Sequence, residues 1–156
     1  MPRDGVFHCT TIYISNGVTL KFNRNALNTP VYFLAQGDIT VNGTIDVSGQ
    51  ASGLASIGEG GPGGFDGGMS GFVGESGGVG YGPGGGLPGN CTSAPGKAGA
   101  GSYRTRGSYS NDGAIYGSEL LIPLAGGSGG GGINGSPGIG GGGGGGRHFV
   151  SFQHKN

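Results

Sequence analysis

Gly126-Gly127-Ser128-Gly129-Gly130-Gly131-Gly132-Ile133-Asn134-Gly135-Ser136-Pro137-Gly138-Ile139-Gly140-Gly141-Gly142-Gly143-Gly144 places glycine at every third position, from Gly126 through Gly129, Gly132, Gly135, Gly138 and Gly141 to Gly144. A second run with the same period lies upstream. It takes in Gly58, Gly61, Gly64 and Gly67, slips by one residue, and continues through Gly68, Gly71, Gly74, Gly77 and Gly80. Of the 44 glycines in 156 residues, all but five fall between Gly53 and Gly146. A period of three fits neither the α-helix nor the β-strand. It fits the extended three-residue helix of polyproline II geometry, which makes no internal hydrogen bonds. Glycine at every third residue leaves one edge of such a helix bare, so backbones can approach closely and satisfy one another's N–H and C=O groups.

Glycine-rich chains without a period read as flexible linkers. Here the strict period argues for order, as do the apolar residues set inside it (Phe65, Met69, Phe72, Val73, Val79, Ile133 and Ile139). A collagen triple helix needs far more proline than the eight present. A phosphate-binding loop needs a following helix, which this glycine density forbids. The expected arrangement is a bundle of polyglycine II helices.

Residues 6–48 are a different material. Ile12 and Ile14 alternate around Tyr13, and Val18, Leu20 and Phe22 alternate with Thr19 and Lys21. Val31 to Ala35 is apolar on both faces, and Ile39/Val41 and Ile45/Val47 form two further short strands. Asn16-Gly17, Gly37-Asp38 and Asn42-Gly43 are turn signals between them. The spacings from Ile12 to Val31 and from Val18 to Ile39 suggest a recurrence near 20 residues, the mark of a parallel β-solenoid. An antiparallel meander competes, because Asn-Gly between alternating strands also makes hairpins. The fold class expected is therefore mostly β and irregular, with little or no α-helix. Residues 1–52 form short solenoid coils, and residues 53–146 form a polyglycine II layer with a polar loop at 97–118. Residues 147–156 are a terminal strand and tail.

The formal net charge is zero, with eight acidic and eight basic side chains. That excludes an electrostatic nucleic-acid binder, and no apolar run is long enough to span a membrane. No basic stretch followed by an apolar one opens the chain, so the expectation is a cytoplasmic protein, a mature chain, an excised module or an incomplete gene product. Cys9 and Cys91 fit no metal spacing; either one disulfide or two free thiols is consistent with them. His8 beside Cys9 is not a catalytic pair, since strand neighbours face opposite ways. Asp38 and Asp46 could meet on neighbouring coils, as acid pairs do in polysaccharide-cleaving β-helices, but no basic partner stands near them in the sequence and the signal is weak. No catalytic, metal or cofactor site is expected, and the chain reads as a non-enzyme. Asn42, Asn90 and Asn134 each begin a glycosylation sequon.

Asp4-Gly5-Val6-Phe7, Asn28-Thr29-Pro30-Val31 and the run Gly37 to Gly49 together resemble the opening of a group of bacterial secreted glycine-rich proteins. The segments Gly61 to Gly68, Tyr81 to Gly86 and Leu121 to Gly130 resemble their later parts. The resemblance implies a secreted location and a solenoid rather than an activity. Such proteins continue past the long glycine run with further β-helical strands, so it also implies a shortened or terminal version here. The period-three part resembles the polyglycine II bundles of phage tail-fibre adhesin tips and of glycine-rich antifreeze proteins.

These readings converge on an extracellular or cell-surface structural protein, a self-assembling or filament-forming homo-oligomer. The alternatives are an adhesin or receptor-binding tip touching a glycan or surface, and an ice-binding protein. The candidate contact loop is Tyr103, Arg104, Arg106, Tyr109 and Tyr116, since exposed Tyr and Arg are favoured at recognition surfaces. The candidate assembly edge is Ile12, Ile14, Phe149 and Phe152. Leu120 to Leu124 is expected to fill a shared core between the coils and the glycine layer.

Overall fold

Alternation of apolar and polar side chains over residues 6–46 builds six short strands, and their pairing sets the frame for everything after them. The computed structural model describes residues 1–53, 56–72, 75–90, 97–120, 125–134, 144, 146 and 148–152. Strands β1 (Val6–Cys9), β2 (Ile12–Ile14) and β3 (Thr19–Lys21) form one lap, and β4 (Val31–Ala35), β5 (Ile39–Val41) and β6 (Thr44–Asp46) form the next. The second lap lies on the first strand for strand: β1 pairs with β4, β2 with β5 and β3 with β6, all parallel. Two further strands, β7 (Gly89–Asn90) and β8 (Ile133–Asn134), pair parallel, and β9 (His148–Phe152) adds a third strand on β4. All five strand pairs among the described residues are parallel, and no described residue is helical. The antiparallel meander is therefore excluded for residues 6–46. Asn16-Gly17 makes a corner between β2 and β3, which do not pair with each other.

The lap length differs from the expected 20 residues. Val6 stands opposite Tyr32, Ile12 opposite Ile39 and Thr19 opposite Thr44, so a lap takes 25–27 residues. Val31 stacks not on Ile12 but in the ladder of β1. The extra length sits in the connection between β3 and β4, and side-chain hydrogen bonds order it. The Asn25 amide donates to Pro2 O at 2.7 Å, to Arg3 O at 2.9 Å and to Thr29 Oγ1 at 2.7 Å. Its oxygen accepts from Thr29 N–H at 3.1 Å.

The apolar core belongs to the laps. Phe22, Val31 and Phe33 are buried together, with Phe7, Ile12, Ile45 and Val47 packed around them. Phe7, Phe22 and Phe33 form a three-ring cluster with centroids 5.4–5.6 Å apart, within the favourable range for aromatic pairs.

The glycine-rich half is held differently. The N–H groups of Phe65, Gly68 and Gly71 donate to the carbonyls of Gly127, Gly130 and Ile133, at 3.1, 2.8 and 3.3 Å, stepping by three on both segments. The same step recurs elsewhere. Gly78 and Tyr81 donate to Met69 and Asp66, running the opposite way, and Gly86 and Gly89 donate to Gly129 and Gly132. Gly113 and Tyr116 donate to Ala100 and Tyr103. Segment 126–134 is the hub. It bonds to 60–71, to 77–82 through Gly129 and Gly132, to 84–89, and to residue 99 through Gly131. Bonds inside a segment are confined to tight turns such as Gly64 N–H to Gly61 O and Gly85 N–H to Gly82 O, so most backbone groups find partners on the neighbours that surround them.

Glycine is required there by space. A Cβ at Gly126, Gly129 or Gly132 would overlap the carbonyl oxygen of Gly63, Asp66 or Met69, again in steps of three. The apolar residues inside the repeat do not supply an interior. Met69, Phe72 and Val79 are exposed, and Phe65 and Ile133 are only half-buried. Val73 and Ile139 lie outside the described residues. Small polar groups are buried instead: Ser128 accepts the Gly84 N–H at 2.9 Å, and Ser102 Oγ donates to Gly113 O at 2.6 Å. Leu120 is 78% exposed rather than part of a shared core; Leu121 to Leu124 lie outside the described residues.

Polar contacts join the two halves. The Arg24 guanidinium donates to Asp66 Oδ1 at 2.5 Å and lies 3.8 Å from Glu59 Oε2. Gln50 N–H donates to Glu59 O at 2.7 Å, and Gly146 N–H to Val47 O at 2.6 Å. Asn28 bonds both ends of the Gly63-Gly64 pair, accepting the Gly63 N–H at 3.0 Å and donating to Gly64 O at 2.7 Å.

Candidate assembly rim and contact loops

In a parallel ladder both backbone groups of a residue point to the same neighbour, and successive residues point to opposite sides. Ile12 N–H donates to Asp38 O, and Ile14 O accepts from Asn42 N–H. Ile12 and Ile14 therefore bond inward to the second lap. Their side chains also turn inward, Ile14 being buried and Ile12 packed on the core. This corrects the expected edge: Tyr13, between them, faces away with its backbone groups and is 69% exposed. The same alternation in β1 follows from Tyr32 N–H to Gly5 O and Gln36 N–H to Cys9 O, which leaves Val6 and His8 facing out. In β3, the bonds of Val18 O and Phe22 N–H to the second lap leave Thr19 and Lys21 facing out. Among the described residues each of β1, β2 and β3 pairs on one side only, as do β5 and β6.

This rim is lightly guarded. Asp4 Oδ1 accepts the outward N–H of Val6 at 3.0 Å. Lys21 lies 3.4 Å from Asp46 on the lap above, an exposed pair of small energetic weight. Hydrogen bonds from Ser48, and then Lys21, hold the Asp46 carboxyl below its ordinary value. Asp46 therefore faces Lys21, while Asp38 belongs to the same lap and contributes its carbonyl to Ile12. The two carboxylates do not face each other across neighbouring laps, so the acid pair raised as a weak alternative is not formed. At the other end of the sheet, β9 also pairs on one side only, with Phe149 in register with Tyr32 and Phe152 with Ala35.

The expected contact loop divides in two. Tyr103 and Tyr116 pack edge to face, centroids 5.2 Å apart, and the Tyr116 hydroxyl donates to Gly126 O. They are wedges of the bundle, and a Cβ at Gly117 would enter the Tyr103 ring. Residues 104–110 form the exposed tip. There Arg104 pairs with Glu119, Arg106 donates to Ser110 O, and Lys97 donates to the Tyr109 hydroxyl at 2.8 Å. That hydrogen bond raises the Lys97 pKa. Asp112 closes the tip from inside. It is 3% exposed, and its carboxylate accepts Ala100 N–H at 2.7 Å and Tyr109 N–H at 2.8 Å.

A second exposed feature escaped the sequence reading. Met69, Phe72, Val79 and Tyr81 border a shallow groove of about 650 Å³ with Glu75 beside it. Phe72 is 80% exposed. The signal was present as apolar residues in the period-three segment, which the sequence reading took only as a mark of order.

Cys9 carries a free, half-buried thiol, and Cys91 lies outside the described residues. His8 is exposed beside it, on the opposite face. Of the sequon asparagines, Asn42 is exposed and Asn134 is only 4% exposed. Among the described residues there is no metal-binding cluster, and no helix long and apolar enough to cross a membrane. Comparison with protein-family models, curated proteins and solved structures gives no match.

Proposed function

We propose that this chain is an extracellular structural subunit that self-assembles by stacking. The two laps are read as the first turns of a parallel β-solenoid, and the segments joined in steps of three as polyglycine II helices. The observation that carries the function is the one-sided pairing of β1, β2 and β3. The first lap presents outward backbone groups, with Tyr13 exposed among them, and unpaired strand edges recruit further strands unless blunted. The edge of β9 lies at the other end of the same sheet. A head-to-tail contact between these two ends does not close on itself and propagates as a filament. The reading is non-enzymatic: Asp46, Asp66 and Asp112 are engaged in backbone hydrogen bonds or ion pairs.

Light scattering across a wide concentration range, with electron microscopy of the concentrated protein, tests this. Growth into elongated particles is expected. A protein that stays monomeric at high concentration overturns it.

One observation favours a second reading, an adhesin tip. The apolar groove at Met69, Phe72, Val79 and Tyr81 and the 104–110 tip both project from a bundle with little side-chain freedom, and exposed apolar patches mark contact sites. Binding to a cell or glycan surface that is lost on Phe72→Ser and kept on Tyr13→Pro supports this reading over the first.

A further inference from the structure

Two Asn-Gly pairs occupy corresponding corners of the stacked laps: Asn16-Gly17 between β2 and β3, and Asn42-Gly43 between β5 and β6. Their surroundings differ because one lap is covered and the other is not. Asn42 and Gly43 both donate their N–H to Ile14 O, at 2.8 and 3.2 Å. The Gly43 Cα is pinned against the corner below, where a Cβ would overlap the Val18 carbonyl oxygen. No described residue lies against the other side of Asn16-Gly17 within reach of a Gly17 Cβ. Val18 N–H closes the turn on Ser15 O at 3.2 Å, and Gly17 sits at φ +78° with open space around it. Asn16 has no positive φ, so the turn is of the type II kind, with glycine third. The Gly17 N–H has no partner among the described residues, and Asn16 is exposed.

We propose that Asn16 is a site of spontaneous covalent modification, and that stacking protects the same dipeptide at Asn42. Asparagine is thermolabile, and the step is an intramolecular acyl transfer. The Gly17 backbone nitrogen gives up its proton and attacks Cγ of Asn16, forming a C–N bond. The side-chain amide nitrogen leaves with a proton as ammonia, and the product is a cyclic imide. Water then adds to either imide carbonyl and opens the ring, giving aspartate or isoaspartate. The attack needs a free, deformable Gly N–H; at Gly43 that group is bonded and the backbone is pinned. Either product places a new carboxylate on the open rim, and isoaspartate also adds a backbone atom to the corner.

The test uses the intact chain at a dilution where it is monomeric, so its outcome does not depend on the assembly reading. The protein is held at mildly alkaline pH, with a parallel sample in urea. Both are then digested and the peptides containing residues 16 and 42 are scored for ammonia loss and isoaspartate. Conversion at Asn16 at least about tenfold faster than at Asn42 is expected in the folded protein, the difference that a bonded and pinned amide sustains. In urea the two rates should converge. Equal rates in the folded protein overturn the proposal. So does an Asn16 as slow as Asn42 in a protein whose urea sample converts at both.

Discussion

Asn28 donates its side-chain amide to the carbonyl of Gly64 at 2.7 Å, across 36 residues of sequence. It also accepts the Gly63 N–H at 3.0 Å, and so bonds the outer N–H and C=O of the Gly63-Gly64 pair. Its own backbone sits at φ +49°, the one non-glycine residue with positive φ among those described. Asparagine tolerates that region better than most side chains. Asn28→Ala removes both bonds and leaves a residue less suited to that φ, so a loss of about 2–4 kcal/mol is expected. Asn28→Gly relieves the backbone and should lose less. Urea unfolding of the two variants checks the order; equal losses would mean that backbone strain plays no part.

The hub segment makes the sharpest steric prediction. Gly129→Ala places a methyl group on the Asp66 carbonyl. Overpacking of this kind against backbone costs about 3 kcal/mol or more. Gly78→Ala is the milder comparison, since its Cβ would come within 2.9 Å of Met69 N. Limited proteolysis of the 60–89 region should accelerate strongly for Gly129→Ala and weakly for Gly78→Ala. Uniform tolerance at both positions would return the bundle to a loose linker.

Ser128 carries a smaller load. Ser128→Ala strips the Gly84 N–H of its partner in a buried place, at about 1–3 kcal/mol. Hydrogen exchange at Gly84 is the direct readout. An unchanged protection factor there would show that the serine is not the partner that matters.

Acid should loosen the 104–110 tip. Hydrogen bonds from the Tyr109 and Ala100 N–H groups hold the Asp112 carboxyl below its ordinary value, with burial opposing and Arg106 adding a little. The native state therefore binds this proton more weakly than the unfolded chain does. The stabilisation is complete at neutral pH and fades as pH falls below about 4. Asp112→Asn should be less stable than the parent at pH 7, and its unfolding midpoint should fall less between pH 5 and 3. Parallel acid profiles for the two proteins would remove Asp112 from the account.

Assembly is tested at Tyr13. Its backbone faces away from the second lap, so proline there removes no described internal bond and blocks the edge. Tyr13→Pro should keep the parent's circular dichroism and lose concentration-dependent growth. Val150→Pro is the matching variant in β9. Tyr32 and Gln36 bond to β1, so Phe33 turns to β9; its register partner Val150 keeps its backbone groups outward, and Ser151 bonds inward. Growth that survives both substitutions places the contact elsewhere, and the exposed groove at Phe72 becomes the next surface to test.

Periodic features survived into the structure because they are local. Alternation over Ile12 to Ile14 told which side chains turn inward, whereas Val31 to Ala35 is apolar on both faces and only the structure singled out Val31, Phe33 and Ala35. The three-residue glycine step reappears as hydrogen bonds and close contacts at Gly126, Gly129 and Gly132. The lap length was not legible, because it depends on how Asn25 orders the connection to β4 through bonds to Pro2 and Arg3. Tyrosine is equally at home packed and exposed, so only the tertiary structure separated Tyr103 and Tyr116, wedged in the bundle, from Tyr109 at its tip. The two Asn-Gly corners are identical as sequence. Only stacking distinguishes them, since Gly43 rests on a lap and Gly17 does not.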